Sequence, residues 1–395
     1  MQLVETHQFN RNHKFFDEFS RISHLSKNLY NAALYDTRQH FFKTEKYKKY
    51  AVIAGEFAKG NPDYKALPAK VAQQTLKLVD QNFKSFFALI RKKLPAKIPG
   101  YLDKSGNYVT IYTKQALSFR DPGLIKLSGT DIKIKTDKQN INQVRLVPHG
   151  NYFSIEIIYS VDLKELKTEG NLAAIDLGLN NLAACVTNVS EPFIINGRPV
   201  KAMNHYYNKH IAKQLSIQEH RKQGKTSHKT KHLARKRKNK IADYMHKAST
   251  MIINHLVSHN IFLLFIGENK GWKQEINIGK RNNQNFVNIP FTKFKRMLQY
   301  KAAKHGITVH FQEESYTSKA SFLSDDHIPV YGDENIPKFS GYRVKRGLYK
   351  IKGIKKFINA DVNGAYNILR KAVGNFQYDP ILVCSRPVIK NISFN

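Results

Sequence analysis

Cysteine is almost absent from this 395-residue chain. Cys185 and Cys384 are the only two, too few for a disulfide framework or for a four-thiolate zinc site. Acids are scarce as well: 30 Asp and Glu stand against 65 Lys and Arg, a formal net charge of +35. No apolar run approaches the roughly 20 residues that span a bilayer. The opening MQLVETHQFNRNHKFF lacks the apolar core of a signal peptide. Neither membrane insertion nor secretion is therefore expected, and two cysteines suit a reducing compartment. The 16 histidines are scattered, without HExxH or paired His/Cys spacing, so no zinc is expected.

What remains is positive charge, and it is concentrated. The run HRKQGKTSHKTKHLARKRKNK, residues 220–240, would repel itself without a counter-anion. A polyanion is the expected partner, nucleic acid first and an anionic membrane surface second. Arg221, Lys222, Lys229, Lys231, Arg235, Lys236, Arg237 and Lys238 are the expected phosphate contacts. NKGWKQEINIGKRNNQN adds the only tryptophan, Trp272, among Lys270, Lys273, Lys280 and Arg281; it either stacks on a nucleotide or anchors its loop.

The apolar pattern changes period along the chain. Steps of three and four residues in 15–95 predict helices, with Pro68 near the start of the second and Pro95 beyond its end. Residues 97–162 read as short strands separated by Gly, Asn, Asp and Pro turns, including a hairpin around His149 to Asn151. A compact β-barrel is expected there, with QLVETHQFN as an extra strand. LAAIDLGLNNLAACVT then reads as a hairpin, followed by a basic helical stretch over 204–258. IFLLFIG, an amphipathic helix ending at Gly306, and ITVHFQ predict a parallel crossover, hence an α/β domain.

In a chain this basic, acids set in apolar sequence stand out, because buried carboxylates are rare unless paired or bound to metal. Asp176 lies inside LAAIDLGLNNLAA, and Asp361 begins the helical stripe of INADVNGAYNILRKA. Each has a bland alternative: a turn cap for Asp176, a helix N-cap for Asp361. Clustered carboxylates from distant segments are also what Mg²⁺-dependent phosphodiester cleavage requires.

Taken together, AIDLGLNNLAACVT, TSK and DVNGAYNILRKA, in this order, resemble the RuvC-type motifs of the TnpB family, RNA-guided DNA endonucleases of insertion sequences related to Fanzor proteins and type V CRISPR effectors. The resemblance implies an α/β and β architecture: a β-barrel wedge domain (1–14 and 96–166) with an inserted helical recognition domain (15–95), an RNase H-like nuclease domain (167–374) with an insert at 318–356, and a C-terminal tail (375–395). It also implies a transposon-derived, omega-type guide RNA, a double-stranded DNA target beside a short flanking motif, Mg²⁺ with Mn²⁺ able to substitute, one protomer per RNA, and a prokaryotic cytoplasm. A nuclease-dead repressor and a transposase or recombinase with an RNase H-like acidic triad are the rival readings.

Asp176 and Asp361 match two of the family's three metal-binding acids. The third, a Glu directly after an apolar strand, is replaced here by Gly267, with Glu268 one residue later and so on the opposite face of a regular strand. ESYTS matches the E-x-x-T-S arrangement of relatives with a relocated Glu, which makes Glu314 the expected third ligand, Glu268 the second choice and Glu313 the third. The CxxC pairs that usually follow are missing. The insert instead carries Lys319, Arg343, Lys345 and Arg346 among aromatic residues, a mixture suited to nucleic acid or to a solvated loop.

Overall fold

The computed structural model describes residues 1–222, 224, 226–268, 289–345, 347–353 and 357–394. The readings of Lys270, Trp272, Lys273, Lys280, Arg281 and Arg346 lie outside the described residues. The chain divides into two compact units, Met1–Asp162 and Leu163–Asn395. Among the described residues no helix is long and apolar enough to cross a membrane.

The first unit runs β1 (Gln2–Asn10), α1 (Phe16–Thr44), α2 (Tyr50–Gly60), α3 (Pro62–Lys65), α4 (Ala69–Arg91), β2 (Thr110–Thr113), β3 (Leu117–Ser118), β4 (Leu124–Leu127), β5 (Lys133–Lys135), β6 (Ile141–Pro148) and β7 (Tyr152–Ser160). The strands expected as one barrel form a four-stranded sheet, β1-β7-β6-β2, and a separate three-stranded one, β3-β4-β5. The β6–β7 hairpin turns at Gly150, whose φ of 82° only glycine adopts cheaply. Helical side chains such as Leu29, Leu34 and Leu76 share one continuous apolar core with Val144, Leu146 and Ile155 of the sheet. The helical segment thus packs onto the strands instead of holding a core of its own.

The second unit contains β8 (Asn171–Leu177), β9 (Asn181–Thr187), β10 (Phe193–Asn196), α5 (Arg198–His220), α6 (His228–Ser258), β11 (Ile261–Glu268), α7 (Phe291–Ala303), β12 (Thr308–Glu313), β13 (Gly341–Lys345), β14 (Leu348–Ile351), β15 (Phe357–Asn359), α8 (Ala360–Val373), α9 (Pro380–Cys384) and β16 (Val388–Lys390). The expected basic helical stretch is two helices, α5 and α6. A capping box restarts the chain at α6: Ser227 Oγ accepts from Thr230 N–H at 3.2 Å, and Thr230 Oγ1 accepts from Ser227 N–H at 2.8 Å.

Six strands form one sheet in the order β12-β11-β8-β9-β10-β16. β8, β9 and β10 are an antiparallel meander, and β11 and β12 add parallel beside β8, the strand order of an RNase H-like sheet. Part of the expected tail is structural, since β16 pairs parallel with β10 at the sheet's edge. Alternate residues of each strand serve opposite faces. Ala173, Ile175, Leu264 and Ile266 join Tyr244, Ile252 and Phe294 of α6 and α7; Ala174 and Phe265 join Val362, Ala365, Ile368 and Leu369 of α8.

Candidate active site

The parallel strands β8, β11 and β12 end side by side, and their carboxyl ends are where open α/β sheets collect functional groups. Asp176 is two residues beyond Ala174 and shares its face, toward α8. Gly267 shares the face of Phe265. Glu268, one residue later, falls on the opposite face, where Lys295 of α7 donates to its Oε1 at 3.0 Å. No bulge rotates it back, since Gly267 pairs with Gln312 and Glu268 with Glu313 in continuous register.

Glu314 follows β12 in phase with Gln312, and its carboxylate lies over Gly267. A β-carbon at Gly267 would collide with Glu314 Oε2 and come within 2.8 Å of Ile368 Cδ1. A β-carbon at Gly364 of α8 would lie 3.0 Å from Asp176 Oδ2. Two glycines therefore leave room for two carboxylates. Glu314 is presented by a tight turn: Thr317 Oγ1 donates to the Glu314 carbonyl at 2.8 Å, and Tyr316 takes a left-handed φ of 64°.

Asp361 opens α8 one turn before Gly364. It is not the helix cap, a role filled by Asn359, whose Oδ1 accepts from Asp361 N–H at 3.0 Å and Val362 N–H at 3.2 Å. Both Asp361 oxygens are engaged: Arg343 Nη2 donates to Oδ1 at 3.0 Å and Asn181 Nδ2 to Oδ2 at 2.5 Å. Arg343, expected on nucleic acid, thus sits on an acid.

The three carboxylates share an electrostatic environment. Burial, then the charges of Glu314 and Asp361, hold Asp176 well above the usual carboxylate range, against the opposing pull of Arg343. Burial pushes Glu314 up to about 7; Lys295 opposes this, while Glu313 and Glu268 add to it. Glu313 behaves differently. Burial would raise it, but hydrogen bonds from Lys371 at 2.5 Å and from Ser315 at 2.7 Å outweigh that and hold it low.

Among the described residues, no three His, Cys, Asp or Glu side chains stand close enough to share one metal ion, as the engagement of Asp361 by Arg343 and Asn181 makes understandable. The donor set still fits Mg²⁺ chemically: hard carboxylate oxygens from three separate elements, beside two glycines that keep the space between them clear.

Sequence reasoning passed over the groups that hold these acids in place. Asn363 and Asn367, fully buried on α8, fasten the segment after Glu314: Asn363 Nδ2 donates to Ala320 O at 2.8 Å, and Asn367 Nδ2 to Thr317 O at 2.9 Å and Ala320 O at 2.7 Å. Two asparagines one turn apart inside an apolar stripe were the available signal. Two strands of the insert, β13 and β14, join β15, just beyond it, in a three-stranded sheet, β13-β14-β15. The insert is tied down by Tyr349 Oη donating to Lys319 O at 2.8 Å, by Asp326 accepting from Ser321 and Ser340, and by Arg370 donating to Asp325 and Asp326. Of the expected phosphate contacts, Arg221, Lys222, Lys229, Lys231, Lys236, Lys238, Lys319 and Lys345 are exposed, and Arg235 and Arg237 half-buried.

An RNase H-like sheet with acids gathered at its carboxyl ends makes this a mixed α/β chain. In fold it is similar to the solved Cas12f1–sgRNA–target DNA complex, at a TM-score of 0.52 and 14% identity, covering 90% of this chain and 82% of that one. Residues 153–273 match a family described as a probable transposase, OrfB_IS605, and residues 291–368 match the Cas12f1-like TNB domain. The TnpB-like protein ORF457 of Acidianus two-tailed virus is 25% identical over 404 residues, 90% of this chain and 83% of that protein. The TnpB-like protein MJ0751 of Methanocaldococcus jannaschii is 24% identical over 286 residues, 64% of this chain and 96% of that protein. The CRISPR-associated endodeoxyribonuclease Cas12f2 of a Micrarchaeota archaeon is 25% identical over 239 residues, 58% and 42% of the two chains. The chain is thus similar to TnpB-like proteins over most of its length and, over separate segments, to the OrfB_IS605 and Cas12f1-like TNB families.

Proposed function

We propose that the chain is an RNA-guided DNA endonuclease, pairing a bound guide RNA with one strand of a DNA target beside a short flanking motif. Relatives named as an endodeoxyribonuclease and as a complex with guide RNA and target DNA support this reading, as does a net charge of +35. The observation that carries it is the Glu314 carboxylate filling the space over Gly267, on the same face of the sheet as Asp176 and beside α8, which carries Asp361 in its first turn. Asp176, Glu314 and Asp361 would hold Mg²⁺, with Mn²⁺ able to substitute. When bound, such ions supply Lewis-acid activation of water and stabilisation of the leaving oxygen.

The chain's own groups prepare that chemistry. Burial at Asp176 and Glu314 concentrates negative potential where a cation is needed, and Lys295 keeps Glu268 on the far face. Asp361, whose Oδ1 accepts from Arg343 at 3.0 Å, would hold the ion in place of that partner. Arg343, on the strand that also carries Lys345, would then be available to a phosphate.

The test is cleavage of a plasmid matching the bound RNA, with a randomised flank and Mg²⁺. Wild type cuts; Asp176→Ala, Glu314→Ala and Asp361→Ala do not; Glu268→Ala does. Binding without cutting by wild type would replace the nuclease by a repressor. Retained cutting by Glu314→Ala would move the third ligand to another acid. A strand-transfer reading has one observation in its favour, the probable-transposase family match. It requires joined DNA products in the same assay, where hydrolysis leaves free ends.

A further inference from the structure

The hairpin of α5 and α6 contains a pocket that the carboxylate site does not use. It is a cavity of about 270 Å³ between Met203, Tyr206 and Tyr207 of α5 and Leu233, Lys236, Arg237 and Lys240 of α6. Those positions follow i, i+3, i+4 on one helix and i, i+3, i+4, i+7 on the other, the spacing with which paired helices seal an apolar seam. Here the α6 side of the seam carries three cations, and no acid lines the cavity. Packing alone gives no reason for three cations on one seam without a facing acid, and together they attract an anion.

We propose that this pocket binds one nucleotide of a single-stranded nucleic acid, with its base against Tyr206 and its flanking phosphates at Lys236 and Lys240. The division of labour follows from what each group already does. Arg237 is committed to the protein: its Nε donates to the buried Asn204 Oδ1 at 2.7 Å and its guanidinium covers the Tyr207 ring at 5.1 Å. This makes Tyr207 the wall. Tyr206 is 47% exposed, its ring braced by His210 with centroids 4.1 Å apart, and so offers a face for stacking. Lys236 is exposed, Lys240 lies half-buried over Phe394 at 5.5 Å, and neither forms an ion pair among the described residues.

An aromatic face flanked by cations is how proteins hold unpaired bases without reading them. A duplex keeps its bases stacked inside, so only a single strand can offer one. The proposal rests on the reading of the chain as nucleic-acid-binding but needs neither the carboxylates nor cleavage.

Short single-stranded RNA and DNA oligonucleotides carrying 5-iodouracil are irradiated with the full-length chain in EDTA, and the crosslinked peptide is identified by mass spectrometry. The expected crosslink is at Tyr206, and the RNA and DNA arms show which strand supplies the nucleotide. Tyr206→Leu weakens binding about tenfold while Tyr206→Phe keeps it, since stacking needs the ring and not the hydroxyl. Lys236→Ala with Lys240→Ala lowers the slope of log K against log salt by about 1.4, two single-strand phosphates at about 0.7 each.

No crosslink within α5 or α6 from either oligonucleotide, or Tyr206→Leu binding as tightly as wild type, would overturn the proposal. Because no metal is present, such a failure alongside intact plasmid cutting removes only the pocket. Loss of plasmid cutting alongside an intact crosslink removes only the nuclease reading.

Discussion

At position 267 the absent side chain governs where a present one goes. Gly267→Ala would push the Glu314 carboxylate off the face it shares with Asp176. The atoms in the way are ends of flexible side chains, so the fold tolerates the change. Cleavage is expected to drop about 10- to 100-fold, as when a metal ligand's support is lost, with the melting temperature nearly unchanged. A plasmid assay beside a thermal melt reads both. Glu314 carries a second residue-scale prediction. Its folded pKa of about 7 lies above the ordinary 4.5, so within that window the folded state holds more protons than the unfolded one. Stability of the chain in EDTA therefore falls as pH rises from about 4.5 to about 7. Glu314→Gln flattens that decline, which denaturant titrations on either side of the window measure.

At the scale of elements, α8 organises the site. It supplies Asp361, allows Asp176 close through Gly364, and fastens the turn after Glu314 through Asn363 and Asn367. Asn367→Ala leaves the buried Thr317 carbonyl without that donor, at a cost of about 1–3 kcal/mol. Cleavage should fall with it because the Glu314 turn closes through Thr317; denaturation and nicking assays on one preparation check this.

The hairpin β8–β9, the β11–α7–β12 crossover and α8 were legible in the sequence, because long apolar runs declare their period. Strand phase also set Glu268 apart from Glu314, since alternation is a local rule. The ion pair of Arg343 with Asp361 was not legible: it joins residues through the folding of the insert. Nor was β16, three exposed residues that form a strand only because β10 offers an edge.

For the whole molecule, charge sets the behaviour. With +35 net and about 6–10 phosphate contacts, RNA affinity should fall about 10³- to 10⁵-fold between 50 and 200 mM salt. Filter binding across that range checks it, and a flat response would mean the excess charge faces something other than phosphate.

The pairing of β10 with β16 bears on how the protein is made. Asn196, at the end of β10, hydrogen-bonds Asn391 across 195 residues, so on the ribosome that strand edge waits through the synthesis of half the chain. Asp361 and its helix also emerge late, after five of the sheet's six strands. On the proposed reading, a growing polypeptide would not cut DNA until nearly all of the second unit has been synthesised. During that interval the open β10 edge is the place where a chaperone, or a neighbouring nascent chain, would attach.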